Sequence, residues 1–297
     1  MSNIERPFLD ADFPHLFDLL IACQAAGYVD MELLSTNLRL TLTNPDFDRS
    51  DTFLLESDER LEAFALLWQG RYLGMLVHPS LRGRLEAQAV AWAERQVTIS
   101  AVQAPLVILC RDDDELLRGF CEERGYDIFD EELRMGRSLL TPLPEFAPPA
   151  GIVIRPRRGD AEFDAWLALY TEALGPRPAK LRHWRAMRDD PDYESSLDLV
   201  AVTDDGRLAG FCFCSIAGVE AASARVVEGR TEPVAVGRDF QRKGLARALI
   251  SAGLAALREH GAQSAALTTE VENANAHRLY AALGYRELYR ARWYRTK

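Results

Sequence analysis

The order of hydrophobic patterns along this 297-residue chain predicts an α+β fold of two tandem domains, each a mixed, mostly antiparallel β-sheet flanked by helices. Three observations carry that expectation. Strand-like and helix-like segments alternate in the C-terminal half with a hairpin among them, which a doubly wound parallel sheet would lack. A proline-rich stretch, "TPLPEFAPPAG" (141–151), divides the chain near its middle. Two separate stretches of the first half reappear in the second at one offset.

The proline stretch carries Pro142, Pro144, Pro148 and Pro149, a density that favours extended, semi-rigid geometry. It sets the expected domains at 1–140 and 151–297, with 141–150 as linker. The repeat is read by placing "VHPSLRGRLEA" (77–87) under "VGRDFQRKGLA" (236–246), an offset of 236 − 77 = 159. The same step puts "RGY" (124–126) under "LGY" (283–285), so the halves look like an internal duplication.

The first half contributes "TFLLES", "AFALLWQGRYLGMLV", a helix from Arg84 to Gln96, "PLVILC", a helix from Asp114 and "YDIFDEELRMGRSL". The second half is clearer. "GIVIRPRR" reads as a strand, "DAEFDAWLALYTEAL" as a helix with Asp160 as N-cap, and "AKLRHWRAMRDD" as another helix. "LDLVAVT", the turn "DDG" and "LAGFCFCSIA" make a hairpin. "TEPVAV" is a strand and "GLARALISAGLAALREH" a long helix closed by Gly261. "SAALTTEV", "NANAHRLYAALG" and "YRELYRARWYR" close the chain as strand, short helix and strand.

Composition narrows the function. Hydrophobic residues at 48% with 27% charged describe a folded, soluble protein. A net charge of −10 and a pI near 5.1 exclude bulk binding to nucleic acid or an acidic membrane, which needs clustered Lys and Arg. "MSNIERPFLD" lacks a basic region followed by an apolar core, and "QVTISAVQAPLVILC" is too broken to span a membrane, so the expected location is the cytoplasm. The cysteines at 23, 110, 121, 212 and 214 form no CxxC pair and read as buried structural residues. The five histidines are scattered, and no metal site is expected.

The chemistry concentrates in "VGRDFQRKGLARALI" (236–250), where a strand hands over to a helix amid arginine, lysine and glycine. A helix start offers unpaired N–H groups and partial positive charge. Successive N–H groups from Arg242 to Arg247 can form a nest for a diphosphate, with Gly244 removing a Cβ from its approach. Arg242, Lys243 and Arg247 add charge at the rim. In "TEPVAV", Pro233 removes a ladder N–H and marks an edge or a bulge; a bulge would splay this strand from "SAALTTEV".

Over 151–297 these words resemble the GNAT-type N-acetyltransferases. One signature of that family stands as Gln241-Arg242-Lys243-Gly244-Leu245-Ala246; a second stands as Asn273, Ala276, Tyr280 and Gly284-Tyr285. The resemblance implies acetyl-CoA as co-substrate, its pantetheine arm bonding the strand at Val234, Ala235 and Val236 as an added strand would. It implies that Tyr280 is the general acid for the departing thiolate; the other reading is a core aromatic. Asn273 and Asn275 either cap the helix or bond the cofactor. Glu232 is chosen as general base, with Glu220 and Glu228 as rivals.

The first half departs from these patterns. Leu85 stands at the register of Gly244, where its side chain would obstruct a nest; Cys121 stands at that of Tyr280 and Asp114 at that of Asn273. This half is expected to bind acetyl-CoA poorly and to complete the substrate cleft, so that the chain acts as a monomeric pseudo-dimer or as a homodimer. The expected activity is acetylation of a small-molecule primary amine. The tandem plan is also similar to that of the mycothiol synthases, which acetylate a cysteinyl sugar; a non-catalytic CoA-binding sensor is the reading from another class.

Overall fold

A computed structural model of the chain describes residues 4–29, 33–57, 60–100, 104–176, 184–223 and 226–297. It divides into two compact units, Met1–Leu133 with Tyr289–Lys297, and Arg134–Leu288.

In the first unit the sheet order is β1 (Ile4–Arg6), β2 (Thr52–Ser57), β3 (Arg60–Trp68), β4 (Tyr72–Val77), β5 (Val107–Arg111) and β12 (Arg286–Arg295). All neighbours are antiparallel except β4 and β5. "AFALLWQGRYLGMLV" folds as the β3–β4 hairpin because Gln69 (φ 52°) and Gly70 (φ 65°) supply the two left-handed positions a tight hairpin turn needs. Helices α1 (Phe13–Ala25) and α2 (Ser35–Leu42) lie between β1 and β2 in the chain, and α3 (Glu86–Ile99) and α4 (Glu115–Glu123) follow β4 and β5. Pro14 in the first turn of α1 is pre-set for a helix start, and Leu16, Leu19, Leu20 and Cys23 recur at helical spacing as its buried stripe.

In the second unit the order is β6 (Asp127–Ser138, of which 134–138 belong here), β11 (Ser264–Glu270), β10 (Glu228–Val236), β9 (Leu208–Ile216), β8 (Asp198–Thr203) and β7 (Ile152–Pro156). Strands β7 to β10 pair antiparallel and β10 with β11 parallel. On one face α5 (Phe163–Leu174) buries Phe163, Trp166, Leu169 and Tyr170 against Val200, Phe211 and Ala235. Helical residues 184–187 (α6) and α7 (Gly218–Ser223) complete the elements before β10. The opposite face carries α8 (Leu245–Glu259), which comes close enough that a Cβ on Gly229 would lie 2.6 Å from Leu257. Helix α9 (Ala274–Ala282) follows β11.

The two tandem α+β units agree with the expected fold class, and the repeat is literal in the elements. Helix α3 begins at Glu86 and α8 at Leu245, 245 − 86 = 159. The same step carries α4 (Glu115) onto α9 (Ala274) and the 3₁₀ turn Pro79–Leu81 onto Arg238–Phe240. The units do not follow the halves 1–140 and 151–297, however. Residues 289–297 join the first unit, and 134–140 and the proline segment lie in the second. There Ser251 Oγ donates to Pro144 O at 2.5 Å and the Arg247 guanidinium lies 4.9 Å from the Phe146 ring, so the segment expected as a semi-rigid linker packs along α8.

Other differences are local. The expected helix at Asp160 begins at Phe163, because residues 159–162 form a 3₁₀ turn whose Glu162 carboxylate is drawn to Arg155 and to Arg158 N. The expected helix over 179–190 lies partly outside the described residues; 184–187 of it is helical. All five cysteines are buried. Cys212 and Cys214 share a face with sulfurs 3.7 Å apart, and burial pushes the thiols of Cys23 and Cys121 up to about 11 and about 12. Cys23 and Cys121 therefore pack as thiols at neutral pH. Among the described residues no helix is long and apolar enough to cross a membrane.

Candidate active site

The site forms where β10 leaves β11. The parallel ladder runs only over Glu228↔Ser264, Gly229↔Ala265 and Arg230↔Ala266. Beyond it, β10 stays paired to β9, but the register slips between Thr231↔Cys214 and Val234↔Cys212. That slip is the bulge expected at Glu232-Pro233, and it falls where a residue without a ladder N–H is tolerated. From the bulge onward Val234, Ala235 and Val236 pair with β9 on one edge, while their other edge faces the opening toward β11.

The opening holds a carboxylate. Glu232 Oε2 accepts the Thr268 N–H at 2.8 Å, so the side chain satisfies a donor that the departing strand leaves behind. Its Oε1 lies 3.8 Å from Arg134, which is 5% exposed and pairs with Glu228 at 2.5 Å. Tyr285, the tyrosine of the second signature, hydrogen-bonds Thr231 through the two hydroxyls at 2.6 Å and pins β10 just before the bulge.

Tyr280 projects from α9 and is 8% exposed, its ring edge-on to Tyr285 at 5.9 Å between centroids. Burial raises its pKa well above the ordinary value, and the nearby Glu232 carboxylate and Cys212 add to the effect. The phenol is therefore held neutral, with its proton, throughout the physiological range. It stands in the field of Glu232.

The turn after β10 is built from two left-handed residues, Arg242 (φ 59°) and Gly244 (φ 84°). A non-glycine residue in that region costs about 1–2 kcal/mol. Such strain commonly marks functional positions. Gln241 Nε2 fastens the turn to Val236 O at 3.1 Å, and Lys243 Nζ donates to Asp239 O at 2.8 Å. Gly244 caps α8 with no side-chain cap, and the first bond into the helix runs from Ala248 N to Gly244 O. Among the described residues no acceptor meets the N–H groups from Arg242 to Arg247. A Cβ at Gly244 would meet nothing within 4 Å, so the space before these donors is open. Leu245 is buried and Ala246 half-buried, anchoring the helix beneath the nest. The donors, the exposed Arg242 side chain and the open edge of β10 make a turn suited to an anion, continuous with a strand edge that has backbone groups to offer.

The remaining expected residues have other partners. Asn273 caps α9, its Oδ1 accepting from Ala276 N at 3.1 Å, and Asn275 Oδ1 accepts from Arg278 at 2.6 Å. Thr231, Thr268 and Arg134 were not anticipated. The first two look like ordinary strand threonines, and Arg134 comes from the half of the chain expected to form the other domain.

The first unit answers the same geometry with its own side chains. The β4–β5 ladder covers only Tyr72↔Val107 and Leu73↔Ile108, leaving a similar opening. Tyr28 occupies it: its hydroxyl donates to Val77 O at 2.7 Å, and Arg82 lies over its ring at 4.1 Å. At the turn, Glu86 Oε2 accepts the Gly83 N–H at 2.7 Å, while Arg82 pairs with Glu86 at 3.2 Å and Asp114 at 2.5 Å. Leu85 does not plug the turn, as its register implied; it packs into the core. An internal carboxylate, not a leucine, takes the place of an anion here. Replacing Glu86 by alanine is expected to cost about 1–3 kcal/mol of stability by removing the acceptor of the Gly83 N–H and one of the two carboxylates paired with Arg82. Acetyl-CoA affinity should not change. Chemical denaturation beside a ligand titration checks both halves of that expectation.

Comparison with known proteins agrees with this architecture. Residues 162–285 match the model described as "Acetyltransferase (GNAT) family". The chain is 29% identical over 294 residues to a mycothiol acetyltransferase of Salinispora arenicola, covering 95% of this chain and 92% of that one. It is 30% identical over 222 residues to one of Clavibacter sepedonicus, covering 72% and 68%. A solved tandem GNAT protein from the clavulanic acid biosynthesis pathway shares the fold with a TM-score of 0.72 at 16% identity, over 99% of this chain and 98% of that one. A splayed parallel pair leading into a basic, uncapped helix start, in a tandem α+β chain with these relatives, defines an acyl-CoA-dependent N-acetyltransferase. The chain belongs to the GNAT acetyltransferase family, as a tandem-domain member.

Proposed function

We propose that this protein transfers an acetyl group from acetyl-CoA to a small-molecule primary amine at one working site, in the second unit. The observation that carries the reading is the contrast between units. At the second unit's turn no side chain meets the helix-start donors and the space at Gly244 is open, whereas in the first unit Glu86 accepts the Gly83 N–H at the turn and Tyr28 bonds the edge of β4 at Val77 O. The reaction is assigned to the cytoplasm.

When bound, acetyl-CoA supplies an activated acyl carbon. Backbone N–H groups of Arg242–Arg247 and the edge of Val234–Val236 hold and orient it, and an N–H near Val234 stabilises charge growing on the carbonyl oxygen. Glu232 takes the proton of the substrate ammonium, freeing the lone pair that bonds to the acyl carbon. Tyr280 gives its phenolic proton to the sulfur as the C–S bond breaks. The two steps are coupled, since the Glu232 charge is one of the causes holding Tyr280's pKa up. Once Glu232 is protonated that cause disappears, and Tyr280 becomes the better acid when an acid is needed. Glu228 is the weaker candidate base, being paired with Arg134 at 2.5 Å.

The names of the relatives support a second reading, in which the acceptor is the amine of a cysteinyl sugar. A thiol-release screen with acetyl-CoA against a panel of amines tests both. Release above the amine-free rate with at least one amine is expected. Release confined to the cysteinyl sugar selects the second reading, and no release with any amine overturns the proposal.

A further inference from the structure

Arg230 carries a charge that the reaction just described does not use. It sits on β10 two residues before Glu232, opposite Ser215 of β9. In this stretch of sheet Cys214 and Gly229 face α8, so Arg230 and Ser215 face the other way. Phe213 lies on that same face, with Trp184 edge-on at 5.0 Å and Tyr193 stacked at 6.4 Å. Arg230 therefore stands beside an aromatic floor, on the sheet face away from α8 and next to the proposed base.

The neighbouring charges are already matched. Arg134 takes Glu228 at 2.5 Å and stands 3.8 Å from Glu232, whose other oxygen holds Thr268 N. Glu232, Glu228 and Glu220 act on Arg230 through space, yet among the described residues it forms no ion pair and no side-chain hydrogen bond. Burial and the like charge of Arg134 lower its pKa. A guanidinium partly withdrawn from water and without an ion-pair partner is destabilised. A ligand anion would remove that cost.

We propose that Arg230 binds a carboxylate on the acceptor, so that the substrate is an amine bearing a carboxylate within a few bonds of its nitrogen, as in an α-amino acid. Strand residues two apart are separated by about 6–7 Å. A carboxylate on Arg230 thus leaves a nearby amine within reach of Glu232. The proposal rests on the acetyltransferase reading and sharpens it. It runs against the preference for cations that the net charge of −10 alone would favour, because local charge outweighs the global balance at this range. It also separates the site from a cysteinyl-sugar acceptor, in which the cysteine carboxyl is tied up as an amide.

The experiment compares the twenty L-amino acids with their α-amides as acetyl acceptors, in the wild type and in Arg230→Gln and Arg230→Lys. The wild type is expected to prefer acids over matching amides by about ten- to hundredfold in kcat/KM. Arg230→Gln should erase the preference mainly through KM, and Arg230→Lys should restore part of it. Two thermal-shift arms separate the possible failures. Acetyl-CoA should raise the midpoint of all three proteins equally, which shows that the variants fold and tests the acetyltransferase reading alone. N-acetyl-L-amino acids should raise it in the wild type but not in Arg230→Gln, which tests Arg230 even without turnover. Amides accepted as well as acids, a preference that survives Arg230→Gln, or N-acetyl-amino acids that shift neither protein would overturn the proposal.

Discussion

Replacing Gly244 by leucine is expected to abolish the rise in thermal midpoint that acetyl-CoA gives the wild type. Gly244 holds φ 84°, so any side chain there is strained by about 1–2 kcal/mol and must project into the open space before the helix donors. A bound diphosphate would occupy that space. Loss of the nest forfeits several charge-assisted hydrogen bonds at about 1.5–3 kcal/mol each, enough to weaken binding at least a hundredfold. Gly244→Ala shares the backbone strain with a smaller obstruction, so it should fall between the two. If both variants bind acetyl-CoA as tightly as the wild type, the diphosphate does not sit at this turn.

The second large effect is expected at Tyr280. Its change to phenylalanine keeps the ring that packs edge-on against Tyr285 and removes only the hydroxyl. Turnover should fall by about 10²–10⁴, the range typical of a positioned acid, with acetyl-CoA affinity nearly unchanged. Steady-state kinetics beside a ligand titration separates the two quantities. The pH profile adds a signed test. Because burial and the Glu232 charge raise Tyr280's pKa, the proton needed for catalysis is present at low and neutral pH. It should be lost only above the ordinary tyrosine value of about 10. Wild-type turnover should therefore hold through pH 9. A basic limb near pH 8 that vanishes in Tyr280→Phe would show the tyrosine titrating where this account forbids it.

Much of this was legible in the sequence because it depends on local rules. The step of 159 residues aligned motifs that prove to be the starts of the same helices, since a glycine-rich turn before an amphipathic run specifies its helix without outside help. Pro233 announced the bulge because a residue without an N–H cannot sit mid-ladder. What stayed hidden depends on partners far away in the chain. Strands β6 and β12 occupy corresponding positions in the repeat, so the pattern could not tell which would complete which unit; that choice brings Arg134 to Glu232. Nothing about Tyr28 or Glu86 in the sequence reveals that they fill an opening, because the opening exists only once β4 and β5 diverge. The start of α1 was within reach: Pro14 followed by leucines at helical spacing is a recognisable helix signal.

Calorimetric titration of the whole chain with acetyl-CoA tests the central claim most directly, because it counts sites as well as measuring affinity. One site per chain is expected, retained in Glu86→Ala and lost in Gly244→Leu. Two sites per chain, or a single site that survives Gly244→Leu, would contradict the division of labour between a turn left open for an anion and a turn closed by its own glutamate.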